Sequence, residues 1–300
     1  MLRTYTAFIL LGVFWGSNFI YMKWASELIS AGQISFLRVL FGFLPLAFFA
    51  WRKKIVSLRQ MRHSHHFLLL ASVGTAFYYF AVAKGTAILP SGIAGVLGAS
   101  PPLFTAIAAI LFLRNERMNG LMMGGVALGL AGITLISRPW TVAYSDATIS
   151  LTGVAWILGS SLVFGLSSVY IRLFLTRPNI GPLAIVTWQM GLALIVQFCL
   201  TDFSGVSNIL SDWRAAIGLV VGLGLLGTGA ALYLYYLLLD ELSAVAAAGA
   251  IYITPIVALL VGWAAGEHVG MFEVAAVSLI FCSLALLEVG RKRALGVVTR

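Results

Sequence analysis

The chemistry this chain can do rests on a few polar side chains set inside long apolar runs. Arg38, in GQISFLRVLFGF, is the one charge near the middle of such a run. An unpaired guanidinium in a bilayer costs at least about 2.5–3.5 kcal/mol, so it must face a cavity or the bundle interior and find partners there. A planar guanidinium suits recognition of a substrate carboxylate. It equally suits tying helix carbonyls together, and the residues alone leave both roles open. Asn18, Ser100, Gln189 and Thr254 are further polar groups at depth, accompanied by Trp15, Tyr78, Tyr79, Trp188 and Tyr252. An apolar, aromatic pocket with a few polar groups takes a zwitterion with a neutral side chain, or a lipophilic drug. Pro101-Pro102 and Pro255 also fall in mid-run. Each removes a backbone donor and clashes with the preceding turn, freeing carbonyls near the membrane centre. Those carbonyls bind an amino group, or the prolines serve as kinks or hinges; the two roles are compatible.

Enzyme chemistry has no comparable foothold. All ten carboxylates fall at predicted helix ends or loops, and His63, His65, His66 and His268 are loop residues. A proton relay usually shows as Asp, Glu or His inside the membrane. Metalloprotease, nucleophile-elbow and phosphate-loop motifs are missing from the sequence. The His63-x-His65-His66 cluster reads as part of a solvated basic loop, so neither a metal site nor a cofactor is expected. Cys199 and Cys282 lie inside apolar runs, which gives no disulfide framework and no thiolate metal site.

The elements that must position these residues are membrane helices. The chain has 300 residues, 61% hydrophobic and 10% charged, with mean hydropathy +1.00. Soluble domains carry about 25% charged residues, and a helix crosses the hydrocarbon with about 20 apolar ones. Ten such windows are present, near 5–26, 32–51, 66–88, 91–113, 119–137, 151–172, 182–200, 214–238, 242–265 and 271–289. The runs are continuous rather than alternating, which selects helices over a barrel. The expectation is an all-α polytopic membrane protein.

The chain also repeats itself. FWGSNFIYMK at 14–23 returns, shifted by 149 residues, as VFGLSSVYIR at 163–172. A proline-broken arm ending at Glu116 is matched by one ending at Glu267. This divides the chain into a five-helix repeat over 1–137, a connecting loop over 138–150, a second repeat over 151–289 and a basic tail over 290–300. Five is odd, so the second repeat enters the membrane from the opposite side and the repeats are inverted, as in many carriers with a midplane site. Small residues at Gly12/Gly16, Gly125/Gly129 and Gly218/Gly222 mark close helix packing. The fifth and tenth helices, almost wholly apolar, read as scaffold. The net charge of +9 collects in loops on one side, at 52–62 and 291–293 above all. That is a positive-inside signal placing both termini in the cytoplasm rather than a nucleic-acid footprint.

WGSNFIYMKWAS, Arg38, TAILPSGIAGVLGASPPLFTAIAAILFLRNER and ITPIVALLVGWAAGEH together resemble the drug/metabolite transporter superfamily, EamA-type branch. Within it the chain is most similar to YddG-type exporters of aromatic and other neutral amino acids. The second arm departs from the first, with twelve residues from Pro255 to Glu267 against fourteen from Pro102 to Glu116. The resemblance implies an inner-membrane carrier exporting neutral amino acids by alternating access, with a small-molecule substrate and membrane lipid as its partners. A drug, nucleoside or metabolite exporter of the same fold is the alternative. A membrane-embedded enzyme is the reading from another class.

Overall fold

The computed structural model describes residues 2–112, 119–138, 149–175, 180–241 and 249–298. Among the described residues nine helical segments are long and apolar enough to cross a membrane, one of them, Ser91–Ala109, interrupted at 98–100. The helices are α1 (Leu2–Ser26), α2 (Ala31–Arg52), α3 (64–88), α4 (Ser91–Leu97), α5 (Pro101–Phe112), α6 (Gly120–Ser137), α7 (Leu151–Phe174), α8 (Pro182–Leu200), α9 (213–241), α10 (Thr254–Ala264) and α11 (Met271–Val298). The span expected over 242–265 is described only from 249 onward, as a short turn at Gly249–Tyr252 and then α10. Residues 290–298, read from sequence as tail, continue α11.

Local chemistry sets several boundaries. Ser30 and Gln33 form a reciprocal capping box at the start of α2, and Gln33 Nε2 also donates to the carbonyls of Asp202 and Ser204. One side chain thus ends a helix and anchors the following half's loop to it. Asn119 and Ser150 cap α6 and α7 through the amides of Met122 and Gly153. Pro182 opens α8, where its missing donor is one of the unpaired ones anyway.

Two helices are unusual inside. α3 is π-helical over Leu70–Phe77 and α9 over Gly218–Ala230. A π segment shifts backbone bonding by one residue and is found mostly where side chains must be re-aimed. Both helices supply residues to the site below.

The helices exchange partners across the middle of the chain. α1 packs on α9 and α10, while α7 packs on α3 and α5. α2 meets α8 and α9, and α8 meets the π segment of α3. Close approach requires missing side chains. A methyl at Gly16 would lie 2.5 Å from Val257 Cβ, and one at Gly222 would lie 2.5 Å from a Tyr21 ring carbon. α6 and α11 form a separate antiparallel pair. They are joined by the Arg138–Glu273 ion pair at one end and by Asn119 Nδ2 donating to the Gly290 carbonyl (2.6 Å) at the other. α5 links that pair to the rest.

Candidate functional site

Arg38 lies on the buried face of α2, 7% exposed. Its Nε donates to Thr228 Oγ1 at 3.1 Å, and Nη1 is 3.8 Å from Met22 Sδ. The guanidinium carbon sits 4.3 Å from the centre of the Tyr79 ring, within the range of a cation–π contact. Asn18 closes the cage. With its amide turned to meet complementary groups, it accepts from Arg38 Nη2 at 3.2 Å and donates to the Phe14 carbonyl at 3.1 Å. Thr228 is free to accept because its own proton goes to the Leu223 carbonyl at 3.0 Å, five residues back. That spacing belongs to the π turn. Gly227 must be glycine here, since a methyl would fall 1.8 Å from the Asn18 side-chain amide. Among the described residues no carboxylate pairs with Arg38, so this cation is held by neutral dipoles and a ring.

A second polar pair repeats the arrangement without the charge. Gln189 Nε2 donates to Thr75 Oγ1 at 2.7 Å, linking α8 to the π segment of α3. Gln189 follows Arg38 by 151 residues and Thr228 follows Thr75 by 153. In each pair a residue of one half's second helix meets a threonine in the other half's π segment. Ser167 of α7 stands to Gly74 as Asn18 stands to Gly227, with a methyl at Gly74 lying 2.7 Å from Ser167 Oγ.

The remaining candidates divide. Tyr78 lies tilted against Tyr79 at 5.0 Å and Phe164 at 5.6 Å between ring centres, adjoining the Arg38 cage. Trp15 packs instead at 6.0 Å from Tyr235. Trp188, next to Gln189 on α8, is directed elsewhere, donating from Nε1 to Gln60 Oε1 at 2.9 Å and stacked on Phe67. Ser100 bonds its own turn at the Leu97 carbonyl and faces α6 and α11 across a cavity of about 10 Å³. Thr254 is buried and its hydroxyl has no hydrogen-bond partner. For Tyr252 only the backbone, in the Gly249–Tyr252 turn, is among the described features. Asn18, Arg38, Tyr78 and Tyr79 therefore converge, with Gln189 one turn of α3 away through Thr75. Sequence reasoning missed Thr228 and Thr75, because a threonine in an apolar helix usually bonds its own preceding turn.

Both proline positions start helices. α4 stops at Leu97 and α5 begins at Pro101; Pro255 stands in the first turn of α10, after the short turn ending at Tyr252. The hairpin before α4 is clamped by one cation and one anion. Lys23 Nζ donates to the carbonyls of Ala87 and Leu89 (3.0 and 3.1 Å). The Glu267 carboxylate accepts from the amides of Ser91 and Gly92 (2.6 and 2.8 Å). Each charge meets the helix end its sign complements. Glu116, its counterpart in the other arm, lies outside the described residues.

Comparison with known proteins bears on what such a bundle does. The model of the EamA-like transporter family matches residues 2–138 and again 151–289. The chain is 30% identical to "Uncharacterized inner membrane transporter YedA" of Escherichia coli K12, over 97% of this chain and 92% of that one. It is 25% identical to "Uncharacterized transporter YoaV" of Bacillus subtilis, over 88% of each. It is 22% identical to the E. coli "Probable amino-acid metabolite efflux pump", over 73% of this chain and 75% of that one. A solved crystal structure superposes with a TM-score of 0.60 at 18% identity, over 97% of both chains, a likeness of fold alone.

Proposed function

The chain belongs to the EamA-like transporter family, and from that premise we propose that it exports neutral amino acids, aromatic ones included, across an inner membrane. The observation that carries this reading is the Arg38 cage. It places a buried guanidinium, with no anionic partner among the described residues, between Asn18 and the Tyr79 ring. A carboxylate on the substrate completes the charge, and Tyr78 and Tyr79 offer rings to an apolar side chain. The distant likeness to an amino-acid metabolite efflux pump points the same way.

The proposed architecture is ten spans in two inverted five-helix repeats, with both termini cytoplasmic. The exchanged packing of α1 and α7 and the mirrored pairs Arg38–Thr228 and Gln189–Thr75 support it. Alternating access proceeds by opening one face while the other is clamped, with the breaks at Pro101, Pro102 and Pro255 as hinges. Drug, nucleoside or other metabolite export is the second reading, favoured by the shared scaffold.

Counterflow of labelled substrate in proteoliposomes tests this. Labelled phenylalanine, tryptophan and leucine are expected to exchange unmodified, and inhibition is expected to require a free α-carboxylate. Equal competition by phenethylamine or phenylalaninamide would remove the carboxylate from recognition and favour drug or nucleoside export.

A further inference from the structure

The far end of α2 carries a cluster of cations. Arg52, Lys53, Lys54, Arg59 and Arg62 are all exposed, and the sequence has no Asp or Glu between Glu27 and Glu116. Among the described residues none of the five pairs with a carboxylate. Two lie over rings instead, Arg52 Cζ at 6.0 Å from the centre of Phe48 and Lys53 Nζ at 4.9 Å from that of Phe49. The cluster is also held in shape. Gln60 Nε2 donates to the Ile55 carbonyl at 3.1 Å and its Oε1 accepts from Trp188 of α8. That fixes the Leu58–His63 turn, with Arg59 and Arg62, against the end of α2.

The apolar neighbours suit a lipid. Leu44, Phe48 and Trp51 are large and exposed. Spacings of four and three residues put them on one face of α2, a stripe that runs directly into Arg52. Lys54 adds a backbone argument. Its amide donates to the Trp51 carbonyl at 3.1 Å and that of Ile55 to the Ala50 carbonyl at 3.0 Å, the pair of bonds of a Schellman motif. Lys54 accordingly has φ +52°, in the left-handed region that glycine occupies without a Cβ penalty. Glycine would close this helix with less strain, and lysine brings a charge to the same place.

We propose that this corner docks the headgroup of an anionic phospholipid. The phosphodiester lies among Arg52, Lys54 and Arg59, and an acyl chain runs along Leu44 and Phe48. A zwitterionic headgroup brings its own cation and leaves the cluster unneutralised. A soluble polyanion meets the cations and has no use for the apolar stripe. Each Lys or Arg beside an anionic lipid surface is worth about 1 kcal/mol, roughly fivefold in association. The inference depends neither on which solute the Arg38 site carries nor on which face of the membrane holds the cluster.

The test reads lipid preference around the full chain in vesicles of phosphatidylcholine. A donor dye is placed on Ser64→Cys, beside the cluster, with Cys199 and Cys282 replaced by alanine; a dye on Ser211→Cys, past the opposite end of α2, is the control. Energy transfer is measured to acyl-labelled phosphatidylglycerol and, separately, to acyl-labelled phosphatidylcholine at equal mole fraction. A several-fold preference for phosphatidylglycerol is expected at Ser64 alone, fading as salt rises from about 0.05 to 0.5 M. Lys54→Gly should lower it by up to about fivefold while the unfolding temperature holds or rises. Arg59→Gln with Arg62→Gln should lower it too, and decides if Lys54→Gly does not fold. Equal transfer to the two lipids, a preference indifferent to salt, or one unchanged in both variants would show an ordinary lipid annulus and overturn the proposal. Displacement of the lipid by millimolar inorganic phosphate would make this a site for soluble anions and overturn it as well. Counterflow is scored separately, so failure here is distinct from failure of the transport reading.

Discussion

Replacing Thr228 by valine separates a recognition role of Arg38 from a structural one. Valine keeps the shape and removes the oxygen that accepts from Arg38 Nε. A charged donor is then left unmet, at about 1.5–3 kcal/mol, and the bond to the Leu223 carbonyl is lost at about 0.5–1.5 kcal/mol. The sum is roughly 2–4.5 kcal/mol, a fall in Tm of about 4–18 °C at 2–4 °C per kcal/mol. Arg38→Met behaves differently. It forfeits the Tyr79 contact, about 0.5–2 kcal/mol, but also removes a buried cation that costs at least about 2.5 kcal/mol. Thr228 and Asn18 retain bonds to the Leu223 and Phe14 carbonyls. Its Tm is therefore expected near that of the natural protein, with counterflow lost. The double variant should fall below Arg38→Met by the Leu223 bond alone, about 0.5–1.5 kcal/mol, because no charged donor remains to be orphaned. Unfolding is followed by tryptophan fluorescence. A Tm loss in Arg38→Met as large as in Thr228→Val, or additive losses in the double variant, would refute this reasoning and make Arg38 a structural tie.

Gly16→Leu is expected to cut monodisperse yield sharply. Even its first carbon would lie 2.5 Å from Val257 Cβ and 2.8 Å from the Thr254 carbonyl. Gly159→Ala, with nothing within 4 Å, should be neutral or stabilising by up to about 1 kcal/mol, and equal yields would deny that α1 and α10 are in contact. For orientation, single cysteines at Ser57 and Ser211 in a cysteine-free background should label from opposite sides with an impermeant maleimide, Ser211 from outside. The reverse pattern would invert the topology.

How far the sequence reveals this molecule depends on the range of the interaction concerned. Of the ten windows that hydropathy delimits, nine correspond to membrane-length segments among the described residues, with small errors at their ends, because crossing a bilayer is a local demand on about 20 residues. The small-residue pairs at Gly12/Gly16, Gly125/Gly129 and Gly218/Gly222 all prove to be close contacts, since glycine is the residue that permits them. The cost of an unpaired charge at depth made Arg38 conspicuous, but not its partner. Thr228 is 190 residues away, and its availability depends on a π turn that glycine-rich sequence tolerates without announcing. Ser100 illustrates the reverse: its depth was legible, yet its azimuth turns it toward α6 and α11. A break between α4 and α5 resets the helical phase, so periodicity upstream of Pro101 does not carry through.

The antiparallel pairing of α6 with α11 sets a timetable for biosynthesis. Methyls at Gly125 and Gly129 would meet α11 at Leu287 and Ser283, at 2.9 and 2.7 Å. α6 ends at Ser137 and α11 begins at Met271, 134 residues later. At about 5–20 residues per second the ribosome takes roughly 7–27 s to cover that interval. Through that time the glycine face of α6 has lipid for its neighbour. A lipid wait is tolerable for a helix whose mid-portion carries no charge, and it makes a helix synthesised much later the one that completes the first half's scaffold. Chains stalled or truncated before Met271 would therefore carry a long, small-residue face awaiting a partner, the kind of surface by which membrane quality control can recognise an unfinished protein.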